Sequence, residues 1–274
     1  MRRGMKAGLS VIISLVFLLF ATSTNISIAE NQPVVFQSTE TPPYWSPALP
    51  NNGLGGSLLQ LVSSTAGIEY SIEYLPVKRF RQSHATYIVG DPDLLMDKKN
   101  RAIFPIGVFH SVIFYYKPHH KKFELHSLKD LQGYTLGVLR GTLEDKDSFV
   151  KAGIAVEESD SNESLLKKLQ KGRIDFCILV AGTGWYTIKQ LFPESQENFG
   201  GIDITDSVRP IAIIIDKDIP EGKALARRYR QMLDGTLRSQ EYFNILENFY
   251  GKNKIPADRF QQLKSFEKYY SVTW

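Results

Sequence analysis

The chain has 274 residues with 43% hydrophobic content and a formal net charge of +4, enough for one large domain or two small lobes with real cores. Three basic residues, Arg2, Arg3 and Lys6, lie within residues 1–29, which hold no acid, so the rest of the chain is nearly neutral. This balance, without a basic run interleaved with aromatics, gives no electrostatic case for nucleic-acid binding. The single cysteine, Cys177, excludes an internal disulfide.

The N terminus has the three parts of a secretory signal peptide. A basic head, MRRGMKAG, precedes an apolar run, LSVIISLVFLLFA, and a small-residue stretch, TSTNISIAE. The apolar run covers residues 9–21 and is shorter than the roughly 20 residues of a membrane span. We therefore predict a signal peptide over residues 1–29, cleavage after Ala29 and export to the periplasm, with an uncleaved anchor as the alternative.

The first folded segments predict a strand, helix, strand unit. PVVFQS is typical of a buried strand, SLLQLVSSTAG of a helix closed by Gly67, and EYSIEYLP of an alternating strand. Such a unit implies a parallel pair, with the loop TETPPYWSPALPNN at the carboxyl end of the first strand. Open sheets of this type bind ligands at that edge, so Tyr44 and Trp45 are predicted cleft residues. The alternative is that both rings fold back onto the core.

A second series of strands and helices begins near LKDLQGYTLGVL. DSNESLLKKLQKGR predicts a helix with Asp160 or Ser161 as its N-cap. Leu165, Leu166 and Leu169 lie on one face of this helix. IDFCILV follows as a fully buried strand, and the restart of the alternation predicts a second lobe. The tail begins with another buried strand, RPIAIIIDKD, and continues into two amphipathic helices.

The order of these segments resembles the type 3 extracytoplasmic solute-binding proteins of ABC importers. The resemblance runs through essentially the whole chain after residue 29. It is carried by TETPPY, GGSLLQLV, YLPVKRF, GDPDLL, NRAIFPIGVF, LKDLQGYTLGVLRGT, SNESLLKKLQKGRIDF and IAIIIDKD. It implies an α/β fold of the two-lobe periplasmic binding protein type (type II), each lobe a mixed, mostly parallel sheet flanked by helices, with the ligand trapped between them.

The resemblance also implies how the chain divides. Residues 30–117 and 209–274 would form lobe 1 and residues 118–208 lobe 2, with YYKPHH and DSVRP as the hinge. Such hinges absorb a domain closure by changing a few backbone angles. We expect a monomer that captures a small polar solute, amino-acid-like or an organic acid, for an ABC transporter permease. No cofactor and no metal are expected.

Several site residues follow from position within the family. Glu40, Tyr44 and Trp45 lie where the family presents an aromatic cover to its ligand. Arg101 lies where members hold an arginine that pairs with the ligand's carboxylate, because a planar guanidinium donates two parallel hydrogen bonds; a surface charge is the alternative. We expect Trp45→Ala and Arg101→Ala each to weaken binding by roughly 1–3 kcal/mol without changing the melting temperature of the free protein.

The second lobe and the YLPVKRF segment add four candidates. Gly141 and Thr142 match the family's turn, where backbone N–H groups at a helix start and a hydroxyl receive an anion. Arg79 matches a basic element near the cleft in a divergent branch of the family, with a solvated face as the alternative. Trp185, after a strand end in VAGTGWY, is predicted to close over the ligand opposite Trp45, with core packing as the alternative.

Two departures from the family affect the ligand. The strand after GRID carries an aspartate for the ligand's ammonium in amino-acid-binding members, and here that position is Val180. Upstream of Arg101, Asp93 and Met96 replace the family's serine or threonine residues. An unpaired ammonium in a closed cleft is costly. The sequence therefore favours an organic acid or a modified amino acid, unless Glu40 substitutes for the missing aspartate.

Catalytic readings have less support in the sequence. His119, His120, Glu124 and His126 fit no firm zinc pattern. Cys177 lies in an apolar strand, where a thiol is usually inert. The main rival from another class is a dehydratase acting on cyclic prephenate-like acids, which uses the same fold. A ligand-sensing protein with the same two lobes is a third reading.

Overall fold

The computed structural model describes residues 33–120, 125, 127–143, 145–204 and 206–271. The signal peptide expected over residues 1–29 lies outside these ranges. Within them, no helix has the length and apolar character that crossing a bilayer requires.

The described residues form ten strands and eight α-helices. The strands are β1 (Val34–Thr39), β2 (Tyr70–Leu75), β3 (Tyr87–Gly90), β4 (Arg101–Phe109), β5 (Ser111–Tyr116), β6 (Thr135–Leu139), β7 (Ala155–Ser159), β8 (Phe176–Val180), β9 (Phe199–Asp203) and β10 (Arg209–Asp216). The helices are α1 (Gly53–Thr65), α2 (Val77–Arg81), α3 (Lys146–Lys151), α4 (Asn162–Gln170), α5 (Ala181–Leu191), α6 (Pro220–Leu237), α7 (Gln240–Tyr250) and α8 (Arg259–Ser271). Short 3-10 helices span Pro50–Asn52, Pro92–Leu94, Leu128–Leu131 and Gln196–Asn198.

The strands form two five-stranded sheets, each the centre of one lobe. The first sheet has the order β2-β1-β3-β10-β4 and the second the order β7-β6-β8-β5-β9. In the first, β1 pairs in parallel with β2 and β3, and β10 runs antiparallel to β3 and β4. In the second, β6 is parallel to β7 and β8, and β5 is antiparallel to β8 and β9. The parallel β1–β2 pair confirms the predicted strand, helix, strand unit.

The chain passes between the sheets twice, at His110 and again between the end of β9 at Asp203 and the start of β10 at Arg209. The sequence put the first lobe boundary after residue 117, whereas strand pairing puts it at His110, because β5 belongs to the second sheet. The second crossing overlaps the expected DSVRP hinge. Ser207 joins the crossings: its Oγ accepts from the Ser111 N–H and donates to the Ser111 carbonyl, both at 3.1 Å.

Each sheet buries its own core. The apolar run of β10 is buried on both faces between β3 and β4, under α1 and α6. In the second lobe, Leu165, Leu166 and Leu169 are fully buried on one face of α4, as predicted. The N-cap of α4 is Ser161, whose Oγ accepts a hydrogen bond from Ser164 N–H at 3.1 Å. Each described lobe therefore has a core of its own, and the two crossings connect the lobes covalently.

Candidate functional site

A cavity of about 330 Å3 lies between the two lobes. Four parallel strands end at it, because Thr39, Gly90, Leu139 and Val180, the last residues of β1, β3, β6 and β8, all line it. The carboxyl edges of the parallel strands in both sheets therefore face the same space. In α/β sheets this edge is where ligands bind.

Tyr44 and Trp45 lie on the loop after β1 and line this cavity. A bridge between Thr41 and Trp45 holds the loop, and both rings are buried, at 5% and 4% exposure. The Tyr44 ring contacts Phe109 and Phe249, with centroids 5.9 and 5.5 Å away. The two rings are thus both core residues and walls of the cavity, so the two readings of the sequence are not exclusive. Their contact with a ligand stays a prediction.

Glu40 stands at the start of the same loop and also lines the cavity. Its Oε1 accepts a hydrogen bond from Ser46 Oγ at 2.6 Å, and the Ser46 hydroxyl in turn accepts from Ala48 N–H at 3.2 Å. The residue is exposed, unlike the two rings that follow it. This arrangement fixes a carboxylate at the rim.

A second carboxylate, Asp91, lies directly after β3 and lines the cavity. Its Oδ1 accepts a hydrogen bond from Asp93 N–H at 2.9 Å. Burial raises the pKa of Asp91 to about 7, with the neighbouring Asp93 carboxylate adding to the effect and Arg209 and Lys98 opposing it. Sequence reasoning missed Asp91, although an acid placed straight after the short apolar run YIVG was a usable signal.

Arg209, the first residue of β10, is the cation of the cavity lining. Its Nε lies 3.3 Å from Asp93 Oδ2, and its Nη1 donates to the carbonyls of Asp206 and Val208 at 3.0 and 2.9 Å. Sequence reasoning also missed this residue, because it reaches the site only through the antiparallel insertion of β10 beside β3.

The second lobe contributes a largely apolar wall. Its aliphatic lining residues are Val138, Leu139, Leu143, Ile178, Leu179, Val180 and Ile204. Thr183, on α5, also lines the cavity, is 2% exposed, and has a hydroxyl without a hydrogen-bond partner among the described residues. A buried hydroxyl in this state is costly until a partner arrives.

The Gly141–Thr142 turn lies at the cavity but is already engaged. Thr142 lines the cavity, and both its N–H and its hydroxyl donate to the Leu139 carbonyl, at 3.0 and 2.7 Å. The Gly141 carbonyl accepts a hydrogen bond from Arg81 of the first lobe. Helix α3 begins at Lys146, beyond this turn, and the binding of an anion at Gly141 and Thr142 stays a prediction.

Arg101 does not line the cavity, so the structure does not bring it together with Glu40, Tyr44 and Trp45, and its pairing with a ligand's carboxylate stays a prediction. It is the first residue of β4, opposite Asp216, whereas the cavity meets the other end of the strand at Phe109. Eight residues of strand separate these ends, roughly 26 Å. Arg101 is 7% exposed and donates to the Ala85 carbonyl. It is a buried structural arginine, not the surface charge of the alternative reading.

Arg79 and Trp185 also lie outside the cavity lining. Arg79 is exposed on α2, in line with a solvated face. Trp185 is 42% exposed, packs edge-to-face on Phe114 at 5.1 Å, and borders a second cavity of about 690 Å3 that His110 also lines. Trp185 and Trp45 therefore line different cavities in this structure.

The metal and thiol candidates have ordinary structural surroundings. His119 Nε2 lies 3.1 Å from the Gln170 carbonyl and His120 Nε2 lies 3.4 Å from Asp175, while Glu124 and His126 fall outside the described residues. Within the part of the chain that the structure describes, no group of three or more His, Cys, Asp or Glu residues is placed to hold a metal. Cys177 is fully buried, and burial raises the pKa of its thiol.

Two α/β lobes joined by two crossings, with a cavity between the carboxyl edges of their sheets, define the two-lobe periplasmic binding protein fold. No protein-family model matches the sequence, and no curated protein matches it. Several solved structures are similar to it in fold. The arginine-, lysine-, histidine-binding protein ArtJ from Geobacillus stearothermophilus is similar at 16% identity and a TM-score of 0.62, over 85% of this chain and 100% of that one.

Two further structures have the same fold. An ancestral arginine-binding protein bound to arginine is similar at 18% identity and a TM-score of 0.61, over 80% of this chain and 98% of that one. A histidine kinase sensor domain with similarity to periplasmic binding proteins is similar at 14% identity and a TM-score of 0.63, over 81% and 98%. At these identities the likeness establishes the fold, and function has to be argued from the site.

Proposed function

We propose that the protein captures a small solute in the cleft between its two lobes. The observation that carries this proposal is the cavity of about 330 Å3 at the carboxyl edges of both sheets, lined by side chains from both lobes. Proteins of similar fold include the ancestral arginine-binding protein and the arginine-, lysine-, histidine-binding protein ArtJ. In this function the cleft binds the solute and does not convert it chemically.

Contacts between the lobes support closure around a solute. The Arg81 guanidinium of the first lobe donates to the Gly141 carbonyl of the second. The Tyr44 hydroxyl of the first lobe lies against Gly182 of α5 in the second. Because the two crossings are short, small changes in a few of their backbone angles separate these contacts.

We expect Gly182→Ala to keep the lobes apart. A Cβ at Gly182 would lie 2.6 Å from Tyr44 Oη and 2.9 Å from two of its ring atoms, closer than atoms approach. The variant should remain folded, because the clash exists only when the lobes meet. Small-angle scattering should show compaction of the wild type on addition of a solute that raises its melting temperature, and weaker compaction of the variant.

The matched control is Gly235→Ala on α6, where the added Cβ meets no atom within 4 Å. It should compact like the wild type. A wild type that binds solute without compaction would contradict closure. Conversion of prephenate by the pure protein, abolished by Glu40→Gln or Asp91→Asn, would favour the dehydratase reading instead.

We further propose export to the periplasm and delivery of the solute to an ABC transporter permease. The similarity in fold to a sensor domain favours signalling as the second candidate. Export is tested first: N-terminal sequencing of protein from the cell envelope should begin at Glu30, because cleavage follows Ala29. Recovery of an intact N terminus in the membrane fraction would contradict this prediction.

A further inference from the structure

The charges around the cavity are not balanced. Among the described residues that line it, Glu40, Asp91 and Arg209 carry charge. Two of the three Arg209 guanidinium nitrogens already have partners: Nε pairs with Asp93, and Nη1 donates to two backbone carbonyls. Among the described lining residues, two carboxylates therefore share the cavity with one cation, Arg209, which pairs with Asp93.

Asp91 is the less well compensated of the two. It accepts one hydrogen bond, from Asp93 N–H, and forms no ion pair among the described residues. The nearby cations, Arg209 and Lys98, both pair with Asp93 instead, at 3.3 and 2.8 Å. A carboxylate withdrawn from water without a cation is unfavourable. A cationic solute would relieve this cost.

An independent observation in the second lobe also points to a ligand. Thr183 lines the same cavity, and its hydroxyl is buried and has no hydrogen-bond partner among the described residues. Around it the wall is aliphatic, with Ile178 and Val180 from β8 and Val138 from β6. This lobe offers a mainly aliphatic surface for an apolar body, with Asn162 and Thr183 among its polar lining residues.

The two carboxylate partners expected from the sequence, Arg101 and the Gly141–Thr142 turn, do not present free donors to the cavity. Arg101 lies at the far end of β4, and the Thr142 N–H and hydroxyl are both used within their own turn. At the Val180 position, an acid for a ligand's ammonium is absent. The ammonium of an ordinary α-amino acid would therefore lack an acid at the Val180 position. Its carboxylate would lack Arg101 as a partner.

We infer that the cleft binds a monocationic amine with an apolar body and no carboxylate, its ammonium on Asp91 and its body on the aliphatic wall of the second lobe. This inference rests on the proposed function, since it names the solute class of the same cleft. Asp91, on the first lobe, thereby pairs with the ammonium that has no acidic partner at the Val180 position of the second lobe. Tyr44 and Trp45 cover the apolar body from the side of the first lobe.

The test compares amines with carboxylates that have the same body. Titration calorimetry on the full protein uses phenethylamine against 3-phenylpropionate and isoamylamine against 4-methylpentanoate, with L-phenylalanine and L-leucine as zwitterions. We expect each amine to bind more tightly than its carboxylate and its zwitterion. Asp91→Asn should weaken amine binding by about 10- to 100-fold, because a charge-assisted contact is lost.

The matched control is Asp97→Asn. Asp97 accepts a hydrogen bond from Lys99 N–H at 2.9 Å, the same local bond that Asp91 makes with Asp93, but it is exposed and outside the cavity. It should bind amines like the wild type. Asp91→Asn should also melt higher than the wild type at pH 8, which separates a lost contact from a misfolded protein.

The outcomes distinguish this inference from the proposed function. If carboxylates or zwitterions bind more tightly than amines, or if Asp91→Asn binds amines like the wild type, the inference is wrong while solute capture stands. If no amine binds, the inference is likewise wrong. If, in addition, no member of a broad library of amino acids, organic acids and polyamines causes compaction, the proposed function fails with it.

Discussion

Replacing Trp45 by alanine should lower the free energy of unfolding by about 3–5 kcal/mol, the usual cost of removing a large aromatic side chain from a core. The ring is 4% exposed and belongs to the core of the first lobe. It packs so closely on α1 that a Cβ at Gly55 would lie 2.3 Å from it. This expectation replaces the earlier one from sequence, that the melting temperature would not change.

Urea denaturation of the free protein measures this effect, and binding should weaken as well because a wall of the cavity is lost. Trp185→Ala is the matched control. At 42% exposure, and outside the first cavity, it should cost about 1 kcal/mol and leave binding unchanged. Equal denaturation midpoints for Trp45→Ala and the wild type would mean that the ring contributes no core packing.

The sequence predicts the fold well where neighbouring segments of the chain determine the strand pairing. The strand, helix, strand order of the first unit implies a parallel pair, and β1 and β2 do pair in register from Val34–Tyr70 to Thr39–Leu75. The first crossing was not predictable in this way. Residues 101–116 form one nearly continuous apolar run, interrupted by His110, so periodicity gives no sign that the chain changes sheets there.

The site was predictable only in part, for a related reason. Tyr44 and Trp45 follow the end of a strand whose direction was known, so their position at the cavity was predictable from order alone. Arg101 was assigned from its position within the family, whereas in this chain it begins β4 at the end of the strand away from the cavity. Asp91 and Arg209 meet because β10 inserts antiparallel beside β3, a pairing that no local pattern encodes.

The location of Asp91 changes the argument about the solute. From Val180, the sequence favours a solute without a free α-ammonium, an organic acid or a modified amino acid, unless Glu40 substitutes for the missing aspartate. The structure puts a second carboxylate into the cavity from the first lobe. Val180 and Asp91 line the same cavity from different lobes, so an ammonium without a partner at Val180 has a carboxylate available at Asp91.

Amine binding should therefore depend on pH through Asp91. Burial raises the pKa of Asp91 to about 7, and the charged or titratable groups that face it are Asp93, Lys98, Arg209 and Tyr270. An ammonium binds the ionised carboxylate, so amine affinity should weaken by about tenfold for each pH unit below 7. It should level off above about pH 8, while the amine itself, like lysine, keeps its proton.

Stability of the free protein should respond in the opposite direction. The pKa of Asp91 is higher in the folded state than its ordinary value of 3.8, so the folded state binds the extra proton between these values. The free energy of unfolding should then fall as pH rises from about 4 to 7, by up to about 4 kcal/mol from this group. Asp91→Asn removes this contribution, so the difference between variant and wild type isolates it.

Calorimetry and urea denaturation at pH 5, 6, 7 and 8 measure both slopes on the same two proteins. For phenethylamine, the wild type should gain affinity with pH and Asp91→Asn should not. At the same time, Asp91→Asn should gain stability over the wild type as pH rises, because an uncompensated carboxylate is absent from its cavity. Parallel pH profiles of wild type and variant, in either measurement, would mean that Asp91 already has its counter-charge within the protein and that the cleft has no need of a cation.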